Sequence, residues 1–320
     1  MHETDLIRQL SACFRRSPQQ KNALFTSDAE LVDIGGSLWG VTTDAFSPEE
    51  DCFGSDDPER IGHNVAVATL SDLLAAGCSP AFYLHSLDLP PEGESFGLSL
   101  SRGVAGVLDA CGAFMLGGDL GCGPAWRCAS TALGPLARPD PLTRLLPPRE
   151  LALFVTGSLG DANAAAFQNA PPPAFELRLS ASEALRRQAS ACIDTSDGLL
   201  NAVWQWLSVN PGHRFELDPG SIPYAPEALS AARQFNLPRS AFLLGGAGEY
   251  ELMFAAPSSA DVPDATRIGT VGPAAPGGVF FGSRRIPAAP PEPRCFPGRA
   301  FYVEALIAAL EPYSELSHAP

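Results

Sequence analysis

Residues 64–80, which read NVAVATLSDLLAAGCSP, place one carboxylate inside an otherwise apolar helical pattern. Apolar side chains recur at helical spacing from Ile61 to Leu74, and Gly77 supplies a typical helix end, so the pattern predicts a helix over residues 60–77. Asp72 lies between apolar neighbours of that helix. A carboxylate in such surroundings is costly unless it is paired, which favours a functional role for Asp72.

Further aspartates follow the ends of predicted strands or precede predicted helices. They are Asp28 in TSDAEL, Asp44 in VTTDAF, Asp119 in LGGDLG, and Asp194 and Asp197 in IDTSDGL. Mg²⁺ prefers oxygen ligands and is usually bound through a few carboxylates, waters and substrate phosphates. The joint occurrence of these residues therefore indicates a magnesium site, although each one alone also has a structural explanation.

The structural explanations differ between the residues. Ser196 and Asp197 can serve as helix-capping residues, and Asp119, after two glycines, can be an ordinary turn residue. Arg144, in the connection LTR, can bind a phosphate with its fork of donors or remain a solvated surface charge. The residues alone leave these alternatives open.

Other classes of site have little support. The glycine segments 157–160 and 245–248 could admit a phosphate to backbone amides, but the chain contains no Walker A sequence. The eight cysteines form no CxxC pair or zinc pattern, and the five histidines have no partners at the spacing of a nucleophilic triad.

Charge and hydropathy exclude two kinds of partner. The net charge of −15 repels nucleic-acid phosphates, and no basic stripe offsets it. No apolar run is long enough to cross a membrane. The charged amino-terminal segment lacks the features of a signal peptide, so we expect a cytoplasmic protein that acts on a small molecule.

Strands and helices alternate with both antiparallel and crossover spacing, which predicts an α/β fold with two layers per domain. The proline-rich connection from Pro135 to Glu150 is the candidate boundary. We therefore predict an amino-terminal domain over residues 1–138 and a carboxy-terminal domain over residues 139–320.

Seven motifs in order resemble thiamine-monophosphate kinase. They are VTTDAF, NVAVATLSDLLAAGCSP, LGGD, LTR, VTGSLGD, ACIDTSDGLL and EYELMF. More broadly, they resemble the PurM-like superfamily of aminoimidazole ribonucleotide synthetase, selenophosphate synthetase and the hydrogenase-maturation dehydratase. The resemblance covers residues 25–270, with a weaker match near Phe301.

The resemblance implies a two-domain PurM-like α/β (α+β) fold, a homodimer paired through the amino-terminal sheets, and a role in thiamine biosynthesis. It implies ATP and Mg²⁺ as the cofactors of a phosphoryl transfer to thiamine monophosphate. The implied roles fall into four groups: Asp28, Asp44, Asp72, Asp119 and Asp194 as metal ligands; Thr43, Gly117, Gly118, Asp119 and Arg144 as nucleotide-binding residues; Asp197 and Ser196 at the reacting phosphate; Phe301 over the substrate ring.

The sequence departs from the family pattern mainly on the acceptor side. A paired aspartate is replaced by Ser27, and the substrate-contacting Pro-x-Pro-Arg is replaced around residues 179–182. Three interpretations therefore stand: a thiamine-monophosphate kinase, a divergent relative that uses ATP on another small acceptor, and a nucleotide-binding or scaffold protein with little turnover.

Overall fold

The computed structural model describes residues 3–48, 57–168, 170–291 and 299–310, and it describes the side chains of all of these except residues 3 and 299–303. These residues form two β-sheets with helices packed against them. The helices are α1 Glu3–Ser11, α2 Pro58–Ala75, α3 Glu94–Cys111, α4 Asp161–Gln168, α5 Leu179–Gln188, α6 Leu199–Val209, α7 Pro226–Phe235 and α8 Arg299–Ala308. The strands are β1 Glu30–Ile34, β2 Ser37–Phe46, β3 Phe82–Leu89, β4 Phe114–Cys122, β5 Arg127–Pro135, β6 Leu151–Thr156, β7 Ala191–Asp194, β8 His213–Leu217, β9 Leu252–Ala256, β10 Ala265–Pro273, β11 Gly278–Phe281 and β12 Arg284–Ile286.

The first sheet has the strand order β1-β2-β5-β3-β4, with β3 and β4 parallel and the other neighbours antiparallel. Strands β2 and β5 alternate between more and less buried residues, as expected for a sheet with one covered face, whereas edge strand β4 is exposed along nearly its whole length. Buried side chains of α2 and α3 form one hydrophobic core with residues of the covered face, such as Tyr83 and Ala132. Helix α2 begins at Pro58 after Asp57, whose carboxylate accepts from the amides of Glu59 and Arg60.

No described helix lies against the other face of this sheet, which we call the open face. One cross-strand row on it contains Thr43, Thr131, Leu84 and Gly117. At its apolar end Trp39 stacks on Phe82, with ring centroids 6.1 Å apart. The adjoining edge strand β4 leaves several large apolar side chains in solvent.

The second sheet has the order β12-β11-β8-β10-β6-β9-β7. Strands β6, β7 and β9 are buried along their whole length, which explains their near-continuous apolar sequences. Trp206 of α6, Phe215 of β8 and Phe242 belong to the main core of this half. Phe154 and Phe254 stack on each other with centroids 5.2 Å apart, in a separate core cluster.

A segment without regular structure, residues 170–178, links the two halves. The Asn64 side chain of α2 donates to the carbonyl of Pro173 at 2.9 Å and accepts from the amide of Phe175 at 3.0 Å. His63 Nε2 lies 2.7 Å from the carbonyl oxygen of Phe175. The second half of the chain is thereby attached to the amino-terminal half of α2.

The predicted α/β architecture is confirmed, and the differences from expectation lie at the ends of elements. Strand β4 continues to Cys122, so Gly117, Gly118 and Asp119 lie within a strand and not in the turn that the two glycines suggested. Helix α6 begins at Leu199, after Gly198 with a φ of 81°, so Ser196 and Asp197 precede the capping position that the sequence suggested for them. The division into domains at residue 138 stays a prediction. None of the described helices combines the length and the apolar character needed to span a membrane.

Candidate functional site

Three aspartates from distant parts of the sequence meet where the two halves of the chain adjoin. One carboxylate oxygen each from Asp28, Asp72 and Asp194 lies within 4.8 Å of the others. Asp44 lies in β2 two residues after Thr42, which hydrogen-bonds Asp72, and its charge contributes to the raised pKa of Asp72. We call these four residues the acid cluster.

Local structure places each of them. Asp28 lies in the turn before β1, Asp72 lies in α2, and Asp194 is the last residue of β7. The hydroxyl group of Ser71 donates to Asp194 Oδ2 at 2.8 Å, which joins α2 of the first half to β7 of the second. Asp72, the carboxylate within the otherwise apolar helix α2, therefore lies at this junction.

Hydroxyl groups hold the carboxylates in position. Thr42 donates to Asp72 Oδ2 from the neighbouring strand. Ser196 donates to Asp194 Oδ1 at 2.8 Å. A hydroxyl donor fixes the orientation of a carboxylate without adding a charge that would compete with a cation.

Arg144 supplies the positive charge beside the cluster. Its Nη2 donates to Asp28 Oδ1 at 2.7 Å, and the two side chains are 14% and 2% exposed. The carbonyl oxygen of Arg144 accepts from Trp206 Nε1 and from the side-chain amide of Asn210. Arg144 is therefore a partly buried counterion of Asp28 in this structure, and not the solvated surface charge that was one alternative.

Burial raises the pKa of Asp44, Asp72 and Asp194, and repulsion from neighbouring carboxylates raises it further in Asp72 and Asp194. Burial raises the pKa of Asp44 to about 6. Burial, and then the charge of Asp28, raise the pKa of Asp194 to about 7. The pKa of Asp72 is raised well above its ordinary value, first by burial and then by the charges of Asp44, Asp194 and Asp28. Such an arrangement favours a compensating cation.

A second observation also indicates that the acid cluster can bind a Mg²⁺ ion. Asp28 Oδ2 and Asp44 Oδ2 are buried and have no hydrogen-bond partner in the described structure. Buried polar oxygens without a partner are rare and call for an unseen ligand or ion. Carboxylate oxygens are also the ligands that Mg²⁺ takes in proteins.

Apart from Arg144, the predicted nucleotide-binding residues lie elsewhere on the first sheet. Thr43 and Gly117 share one row of the open face, whereas Gly118 lies in the row of Asp44. Asp119, opposite Ser86, is exposed on the edge strand. Strands β2 and β4 are three strand spacings apart, about 14 Å. A single chain therefore does not bring Asp119 into the acid cluster.

The remaining predicted residues are near the end of β7 and in the last helix. Ser196 contacts Asp194 directly, as described above, while Asp197 is exposed and accepts from the side-chain amide of Gln205. The backbone of Phe301 lies in α8, and its side chain lies outside the described residues.

A second buried acidic group was not predicted from the sequence. Arg178 forms a fork with both oxygens of Glu251, which also accepts from the Thr156 hydroxyl group. Glu249 accepts from the amide of Gly160, so this amide of the 157–160 segment is already used by a carboxylate of the protein. In the sequence, this group is indicated only by the two glutamates of EYE, Glu249 and Glu251. Their hydrogen-bond partners lie more than 70 residues away along the chain, so the group could not be assembled from local sequence.

Comparison with known proteins finds similarity over most of the chain. Residues 26–134 match the family model described as AIR synthase related protein, N-terminal domain. The thiamine-monophosphate kinase of Archaeoglobus fulgidus is 28% identical over 256 residues, covering 76% of this chain and 81% of that protein.

Solved structures share the fold across nearly the whole chain. AaThiL complexed with AMPPCP and TMP superposes with a TM-score of 0.78 at 22% identity, over 90% of this chain and 95% of the other. The hydrogenase maturation protein HypE of E. coli superposes with a TM-score of 0.65 at 20% identity, over 92% of this chain and all of the other. With the ordered motifs and the acid cluster, these matches lead to one conclusion: the chain has the PurM-like fold, and its sequence is similar to AIR synthase-related proteins over residues 26–134 and to thiamine-monophosphate kinases over about three quarters of its length.

Proposed function

We propose that this protein is an ATP- and Mg²⁺-dependent kinase that phosphorylates thiamine monophosphate to thiamine diphosphate. The observation that carries the proposal is the convergence of Asp28, Asp72 and Asp194, together with the buried, unpartnered carboxylate oxygens of Asp28 and Asp44. The similarity to thiamine-monophosphate kinases over three quarters of the chain supports the choice of acceptor.

In phosphoryl transfer, the protein contributes mainly by positioning the reactants and by compensating the charge of their phosphates. Phosphoryl transfer needs little covalent help, and bound Mg²⁺ neutralises the phosphate oxygens between which the group moves. In the proposal, Asp28, Asp44, Asp72 and Asp194 hold the metal. Arg144 keeps Asp28 in a fixed orientation and balances part of the cluster's charge.

The substrate-side assignments belong to the proposal as well. Thr43, Gly117, Gly118 and Asp119 contact the nucleotide, and Phe301 covers the ring of the acceptor. Ser196 and Asp197 face the reacting phosphate, where exposed Asp197 is accessible from solvent. The proposal places the reaction in the cytoplasm, where a kinase has access to ATP.

The proposal includes a homodimer formed through the first sheet. Phe114, Leu116 and Leu120 of edge strand β4 are 69%, 58% and 72% exposed. The opposite edge is already partly covered, because the backbone amide of Lys21 donates to the carbonyl of Leu31 in β1. An uncovered apolar edge beside an open face favours pairing with a second copy of the chain.

The test is ADP release by the purified protein with Mg-ATP, with and without thiamine monophosphate. We expect ADP release that depends on thiamine monophosphate and yields thiamine diphosphate in equal amount. A protein that binds Mg-ATP but releases no ADP with this acceptor would contradict the assigned substrate. A protein that does not bind Mg-ATP would contradict the assigned site.

A further inference from the structure

We propose that Ser71 is a positioning residue that holds the Asp194 carboxylate of the second half beside Asp72 of the first half, and so sets the affinity of the acid cluster for Mg²⁺. This inference deepens the proposed function and rests on it. It concerns the hydrogen bond between α2 and β7, which crosses from one half of the chain to the other.

Ser71 is buried inside α2, directly before Asp72 in the sequence. Its side chain is 1% exposed, and Asp194 is 4% exposed. The Ser71 hydroxyl group donates to Asp194 Oδ2 at 2.8 Å. Because Ser71 and Asp72 are neighbours in one helix, this bond ties the Asp194 carboxylate to the element that carries Asp72.

The second half of the chain holds Asp194 through contacts of its own. The amide of Thr195 donates to the carbonyl oxygen of Glu251 at 2.9 Å, and Thr195 Oγ1 accepts from the amide of Glu251 at 3.1 Å. Ser196 donates to Asp194 Oδ1 at 2.8 Å. These bonds lie within the second half, so they do not determine where Asp194 lies relative to the carboxylates of the first half.

The contacts between the halves act against repulsion of like charges. Asp28, Asp72 and Asp194 each place one carboxylate oxygen within 4.8 Å of the others. Ser71 opposes their separation at 2.8 Å, whereas the Asp194 amide lies 3.4 Å from Asp28 Oδ1. A hydroxyl donor adds no charge and uses one lone pair of Oδ2, so the carboxylate keeps other lone pairs for a cation. Ser71 therefore places this ligand before an ion binds.

An ordinary helical role for Ser71 can be tested against another serine. Its hydroxyl oxygen also lies 2.8 Å from the carbonyl oxygen of Ala68, a local contact that serines make in helices without any function. Ser182 of α5 is equally buried at 1% exposure and donates to the carbonyl oxygen of Leu179 at the same distance. The two serines share the local contact, and Ser71 has the Asp194 carboxylate in addition.

The experiment compares Ser71→Ala with Ser182→Ala, because both remove a buried helical hydroxyl group. Residues that orient metal ligands typically change metal affinity about 10- to 100-fold when they are removed. Calorimetric titration of Mg²⁺ with a non-hydrolysable ATP analogue should therefore show about tenfold weaker Mg²⁺ binding for Ser71→Ala. Ser182→Ala should bind Mg²⁺ like the wild type. Circular dichroism of each variant verifies that it is folded before the titration.

A second pair separates hydrogen bonding from packing. Ser71→Thr and Ser71→Val add side chains of nearly equal size, but only threonine keeps the hydroxyl group, so the threonine variant should bind Mg²⁺ more tightly. Wild-type Mg²⁺ affinity in Ser71→Ala, equal weakening in Ser71→Ala and Ser182→Ala, or equal affinities of the threonine and valine variants would overturn the inference. Failure of the wild type itself to bind Mg²⁺ with the analogue overturns the proposed function instead.

Discussion

At the scale of single residues, the site is a balance between like charges and the groups that hold them together. Four carboxylates adjoin, one arginine compensates part of their charge, and hydroxyl groups set their orientation. The sequence identified all four aspartates, because each sits at a turn, a strand end or an apolar helix. It could not identify the partner of Arg144, which lies 116 residues away along the chain.

The Asp72→Asn substitution should raise the folding stability of the metal-free protein and abolish its Mg²⁺-dependent nucleotide binding. Removing one of several crowded charges relieves repulsion, so the metal-free protein should become more resistant to urea. Loss of a metal ligand should abolish Mg²⁺-dependent nucleotide binding in calorimetry. Exposed Asp109→Asn is the matched control and should change neither quantity, whereas unchanged Mg²⁺-nucleotide binding in Asp72→Asn would exclude this residue as a ligand.

The raised pKa of Asp194 predicts the direction of the pH dependence. The folded form holds this proton up to about pH 7, while the ordinary value is 3.8. The folded state thus binds more protons than the unfolded state between these values, so stability in a chelator should fall as pH rises through this range. Urea unfolding at several pH values measures this, and Asp194→Asn should flatten the curve; an unchanged slope in that variant would contradict the assignment.

At the scale of elements, hydrophobic periodicity predicts most helices and strands, but not how glycines are used. Gly117 and Gly118 look like a turn in the sequence, yet β4 continues through them. A Cβ on Gly118 would lie 2.0 Å from the carbonyl oxygen of His85, so glycine is required there by the close approach of β3. Such a contact depends on register between strands, which local sequence does not specify.

The 170–178 segment gives a prediction at this scale. Arg178→Ala would leave the Glu251 carboxylate buried without its counterion, and such a loss typically costs about 3–5 kcal/mol of folding free energy. The free energy of unfolding in urea measures the effect, with exposed Arg187→Ala on α5 as the control. Equal stabilities of the two variants would mean that Glu251 does not rely on Arg178.

At the scale of the whole molecule, the open face and edge strand β4 are surfaces that the described part of one chain leaves uncovered. Leu120→Lys should convert a dimer to a monomer, because it places a charge in the proposed interface. Light scattering should then give the 33.6 kDa of one chain in place of twice that mass. Leu98→Lys, at a similarly exposed site on α3, should leave the dimer intact. A monomeric wild type at micromolar concentration would remove the dimer from the proposal.

The junction at Asp194 has a consequence for local opening of the fold. Ser71 and Asp194 are hydrogen-bonded across 123 residues of sequence, and the carboxylates on both sides of that contact repel each other. A cation held by Asp28, Asp72 and Asp194 would act as a removable crosslink between the two halves. Chelation should therefore speed amide hydrogen exchange first in β7 and the end of α2, while the strands farther from the junction keep their protection.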